Sequence, residues 1–148
     1  MEMSDYTDAE DEDAYLKQSV DILPEAIREE FVRVPADLAY WGEKYAEAVK
    51  AHLLAAHHTK RMRAQLSIQV RELAHAKDQK LTVDQVEAWV EQAPDYQSMR
   101  LQEIEAEAAK VSARCRLDAV SAKKDMVVSL GSHMRAEMSP TQLNTHKR

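Results

Sequence analysis

Apolar positions recur along this chain at alternating steps of three and four, the period of one face of an α-helix. From Leu38 the series runs through Trp41, Tyr45, Ala48/Val49, His52, Ala55/Ala56, Thr59, Met62, Leu66, Val70 and Leu73. Pro35 suits the first turn of a helix, so the spacing predicts a long helix over 35–76, interrupted by no breaker except Gly42. A second series, Ile104, Ala108, Val111, Cys115, Ala119, Ala122, Met126, Leu130, Met134 and Met138, predicts a helix over 95–138, stopped by Ser139-Pro140. Between them Lys77-Asp78-Gln79-Lys80 reads as a loop. Thr82 followed by Gln85 forms a capping box, and Leu81 can staple onto Val86. A short helix to about Gln92 follows, with Val83, Val86 and Val90 on one side and Trp89 adjoining them, until Pro94 ends it. Upstream, Pro24 opens a short helix edged by Ile27, Phe31 and Val32.

The predicted fold class is all-α: a long antiparallel helical hairpin with a short capping helix at the turn. Each long helix would reach about 65 Å. Two helices share only one seam, which leaves apolar stripe uncovered, so self-association into a helical homo-oligomer is expected. Cys115, on the second stripe, is expected to be buried and inert.

Composition removes whole classes of function. The only two glycines are Gly42 and Gly131, so neither a dinucleotide-binding turn nor a P-loop can form. The lone cysteine excludes an internal disulfide and a Cys-based zinc site. Glu72-x-x-His75 is half of a di-iron motif with no second copy, and no nucleophile–base ordering is defensible in such a helical chain. No catalytic residue, metal or cofactor is expected, and hence no enzyme. No run of about 18 apolar residues is present, so the expectation is no membrane and a cytoplasmic location.

The net charge of −6 averages two unlike parts. Residues 1–33 hold eleven acids against three bases, and residues 34–148 hold fifteen against seventeen. Seven acids and no base in 1–13 predict disorder. The expected organisation is an acidic, largely disordered arm over 1–23, a helical domain over 24–138 and a frayed tail over 139–148. From Lys50 to Arg71 there is no acid, but there are Lys50, Lys60, Arg61, Arg63 and Arg71, with His57-His58 adding to the strip. Lys110, Arg114, Arg116, Lys123 and Lys124 face only Asp118 between 110 and 124. Folding Leu73 against Leu101 would set Lys60, Arg61 and Arg63 level with Arg114 and Arg116, and Lys50 level with Lys124. The candidate nucleic-acid-binding residues are therefore Lys50, Lys60, Arg61, Arg63, Arg114, Arg116, Lys123 and Lys124. A strip of this kind attracts phosphates without reading sequence. With the aromatic residues placed towards the ends, backbone-led binding is expected rather than base recognition.

The segment Lys60-Arg61-Met62-Arg63-Ala64-Gln65-Leu66 in the first of two long helices resembles the UvsY family of phage recombination mediators. The likeness spans about residues 35–138 as an architecture. In that family a K-x-R-like step contributes to single-stranded DNA binding, and Arg61-x-Arg63 with Lys60 stands in that place here. The resemblance implies an oligomeric, ATP-independent factor that helps a RecA-like recombinase load onto single-stranded DNA against single-strand-binding protein, in a phage-infected host cell. Two other readings stand beside it. One is a structural or scaffolding coiled coil, and the other is a regulator acting through the acidic arm, either on a partner or by competing for the chain's own basic strip.

Overall fold

A computed structural model describes residues 4–138, and these are helical almost throughout. The order is α1 (Ser4–Val20), a 3-10 turn (Pro24–Ala26), α2 (Ile27–Ala76), α3 (Val83–Gln92) and α4 (Pro94–Met138), with no strand among the described residues. The all-α class is thus established. The tail expected over 139–148 lies outside the described residues. No helix among those described is long and apolar enough to cross a membrane. The chain forms two compact units, one of residues 4–43 with 115–138 and the other Lys44–Arg114.

In the first unit the helix expected to open at Pro35 begins at Ile27 and continues through that proline. An interior proline removes one backbone hydrogen bond and crowds the carbonyl four residues back, at a cost of about 3 kcal/mol. The compensation is visible in the packing. Glu30, Val34, Asp37 and Trp41 are all buried, at steps of four, three and four on both sides of Pro35, while Pro35 itself faces out. Arg33 Nε reaches Asp37 Oδ2 at 3.3 Å across the proline. One continuous helix buries all four side chains on one face, which outweighs the local preference to break.

The acidic segment expected to be disordered is helix α1 over Ser4–Val20. Composition counts the acids but not their partners. Arg116 Nη1 donates to Glu12 Oε2 at 2.9 Å and its Nη2 to Asp13 Oδ1 at 3.2 Å. Tyr15 packs edge-on against Tyr40 and stacks beside Trp41, with ring centroids 4.9 and 6.0 Å apart. Its hydroxyl donates to Asp37 Oδ1 at 2.9 Å. Burial, and then this hydrogen bond, push the phenol above its ordinary value of 10.0. Ser19 is buried too.

Helix α4 turns inward a different face from the one its apolar stripe predicts. In the second unit Met99, Glu103, Ala106, Lys110 and Ala113 are half-buried, whereas Leu101, Ile104, Ala108 and Val111 are exposed. In the first unit Val120, Lys123 and Val127 are buried, whereas Cys115, Ala119, Ala122 and Met126 are exposed. Cys115 is therefore an exposed thiol, not a buried one. The inward face of α4 matches polar positions on α2 with polar partners, as buried hydrogen-bonding groups require. Lys123 is only 2% exposed, and its Nζ lies 2.6 Å from Glu30 Oε2. The pair is off the hydrogen-bond direction and so is held as an ion pair.

Lys123→Met should leave the Glu30 carboxylate buried and unpaired, destabilising the protein by about 3–5 kcal/mol in urea unfolding. Glu30→Leu combined with Lys123→Met should recover most of that loss. A double variant as unstable as the single one would show that the pair is not what those positions contribute.

Candidate nucleic-acid interface

Register decides which charges lie side by side. In the second unit, rising positions on α2 meet falling positions on α4. The Arg114 guanidinium lies 5.4 Å from the centre of the Tyr45 ring. Lys110 Nζ lies 3.2 Å from His52 Nδ1, and an ammonium can only donate, so the imidazole accepts. Thr59 Oγ1 reaches the Met99 carbonyl at 3.2 Å and that of Ala55 at 3.1 Å. Lys60 and Arg61 therefore lie near the level of Met99, not of Arg114.

The expected register is displaced because α3 does more than cap the turn. It starts as predicted, with Thr82 Oγ1 accepting from Gln85 N and Gln85 Oε1 accepting from Thr82 N. It then folds back along α2, with Val86 and Val90 buried, and Arg63 Nη2 donates to Glu87 Oε1 at 2.8 Å. Trp89 shares a cavity with Val70, Leu73 and Ala74. Since α3 occupies the last turns of α2, Pro94 starts α4 already well down its partner. The predicted meeting of Lys60, Arg61 and Arg63 with Arg114 is not formed.

The eight candidate cations divide between the units. Lys50, Lys60, Arg61, Arg63 and Arg114 belong to the second, and Arg116, Lys123 and Lys124 to the first. Lys50, Lys60 and Arg61 are exposed on α2, as is Arg71 further along. No acid pairs with any of these four among the described residues. Arg63 is held by Glu87 but remains half exposed. His57 and His58 are exposed beside each other, with ring centroids 5.9 Å apart.

In the first unit the candidates are committed elsewhere. Lys123 is buried against Glu30, so its ammonium is withdrawn from any phosphate; its place off the apolar stripe of α4 hid this in the sequence. Arg116 is gripped by Glu12 and Asp13 and lies 5.6 Å from the Trp41 ring centre. Lys124 lies 3.1 Å from Asp125 at its Nζ. Charge counting alone could not place these α1 acids against Arg116. Glu72 and His75 are exposed, and no metal-binding group of three His, Cys, Asp or Glu occurs among the described residues.

One carboxyl in the second unit is tuned by its neighbours. Arg100 Nη1 lies 2.9 Å from Glu103 Oε2, and this hydrogen bond holds the carboxyl below its ordinary value of 4.5, against the opposing effect of burial. Comparison with family models, with curated proteins and with solved structures finds no match to this chain.

A depressed carboxyl contributes stability that is present above its unfolded-state value and is lost as pH falls through the folded-state value. Acid unfolding should therefore show a Glu103-dependent loss below about pH 4.5. Glu103→Gln should flatten the fall in unfolding free energy between about pH 5 and about pH 3, read by urea titration at each pH. An unchanged slope would remove Glu103 from the account.

Proposed function

We propose that this protein binds single-stranded DNA through its phosphate backbone and acts as an ATP-independent recombination mediator. The observation that carries the binding reading is the acid-free tract of α2 from Lys50 to Arg71, in which Lys50, Lys60, Arg61 and Arg71 are exposed with no acid paired to them. Cations left unpaired on a helix gain most from displacing the counterions condensed on a nucleic acid. Loading of a RecA-like recombinase against single-strand-binding protein, in the cytoplasm of a phage-infected cell, follows from the resemblance to the UvsY family.

Self-association belongs to the same proposal. Leu101, Ile104 and Val111 of α4 are half or more exposed in the second unit, in heptad-like spacing, and pairing with further copies would cover them. Many copies of one weak phosphate site would then act together on a long strand. The same stripe is what a scaffolding coiled coil would use, and such a protein would form oligomers indifferent to DNA.

Lys60→Ala with Arg61→Ala should weaken binding to an unstructured oligonucleotide. The slope of log affinity against log salt should fall by about 0.7 for each phosphate that is no longer neutralised. Both side chains are exposed, so the fold should survive. Unchanged affinity in an anisotropy titration would sink the proposal.

A specific contact favours regulation by α1. Glu12 and Asp13 occupy Arg116 much as phosphate oxygens would, with two guanidinium hydrogen bonds to two carboxylates. Glu12→Gln with Asp13→Asn should free that guanidinium and tighten oligonucleotide binding several-fold at low salt. Equal or weaker binding would leave α1 a purely structural element.

A further inference from the structure

The two tryptophans of this chain have opposite environments. Trp41 is 1% exposed, whereas Trp89 is 65% exposed. On α3 the residues that pack are Val86 and Val90, and Trp89, one position before Val90, is turned outward. A large exposed indole needs a reason, because burying such a ring is worth more than burying any other side chain.

Its surroundings narrow the choice of ligand. On one side Trp89 borders a cavity of about 120 Å³, whose polar lining is Lys77 and Gln79. On another it borders a shallow hollow of about 280 Å³, whose polar lining is Gln85 and Gln92. Neither contains an acid, although α3 carries Asp84, Glu87 and Glu91, and the nearest of these to the basic tract, Glu87, is engaged by Arg63. A flat apolar face flanked by an ammonium and by uncharged amides suits an anionic ligand that carries aromatic rings. Val70, Leu73, Ala74 and Leu81 complete the lining of the cavity with aliphatic side chains, and the ammonium of Lys77 is its one charge, which a wholly apolar helix from another protein would leave without a counter-charge.

The place is also continuous with the tract described above. Val70, the neighbour of Arg71, lines the same cavity as Trp89, and the Arg63–Glu87 bridge ties α3 to α2 within the second unit. We propose that Trp89 is a base-stacking platform, on which a nucleobase of the bound single strand lies against the exposed indole while Lys77 meets an adjoining phosphate. This rests on the single-strand reading and adds to it an aromatic contact that backbone attraction alone does not supply. Stacking of this kind tolerates any base, because every base has a π face.

The test uses the full chain, an oligothymidylate, and an abasic strand of equal length and charge. Wild-type protein should bind the oligothymidylate more tightly than the abasic strand, with quenching of tryptophan fluorescence. Trp89→Ala should weaken oligothymidylate binding by about 5-fold to 100-fold, the range for one stacked base. It should leave abasic binding and the salt slope as they were, and Trp89→Phe should restore most of the loss. If Trp89→Ala binds both strands as wild type does, or weakens both equally, the platform is wrong while the phosphate-binding reading stands. A change in sedimentation of the DNA-free Trp89→Ala protein would assign the ring to a protein–protein contact and overturn the platform. Wild-type protein that binds neither strand would overturn both readings.

Discussion

The structure depends on giving partners to the polar groups that lie within the packed face of α2. Glu30, Asp37, His52 and Thr59 are interleaved with Val34, Trp41 and Met62, so covering the apolar members also covers the polar ones. An unpaired buried charge costs several kcal/mol, whereas leaving one aliphatic side chain exposed forfeits about 1.5–3 kcal/mol. The polar term therefore decides which face of α4 turns inward. In the first unit Lys123 meets Glu30, and in the second Lys110 meets His52 while Thr59 takes the Met99 carbonyl. The apolar stripe of α4 stays outside as a consequence.

That choice governs how the charges are arranged. Lys123 is consumed by the fold, Arg116 is held by α1, and Arg114 lies over Tyr45. What remains for a polyanion is the α2 tract itself, with Lys50, Lys60, Arg61 and Arg71 exposed. The net charge of −6 does not describe this tract, which holds no acid from Lys50 to Arg71, while six of the chain's 26 acids lie in α1 and two of these engage Arg116. With Gly42 and Gly131 as its two glycines, the chain has no P-loop.

Much of the fold was legible in the sequence, wherever local chemistry dominates. The capping box at Thr82, the end of α3 before Pro94 and the packed series Trp41 to Val70 all appear where their spacing puts them. What was not legible depended on tertiary partners. Pro35 reads as a helix start because the buried residues on both sides of it are invisible to a local rule. The α1 segment reads as disordered because Arg116, more than a hundred residues away, neutralises two of its acids. The α4 stripe reads as core because periodicity finds an apolar face without saying whether its cover comes from the same chain. The register failed for a geometric reason: α3 lies along α2 and so shifts the start of α4. Of the candidate site, the exposed cations of α2 were readable from the missing acids, while the outward turn of Trp89 was hidden by its neighbours Val86 and Val90.

Sedimentation velocity of the full chain, with and without an unstructured oligonucleotide, bears most directly on the claim that an oligomer presents unpaired α2 cations to single-stranded DNA. The account predicts a species heavier than the 16.9 kDa protomer that carries the oligonucleotide down with it at low salt and releases it as salt rises. An oligomer whose sedimentation is the same with and without the oligonucleotide at low salt would contradict it.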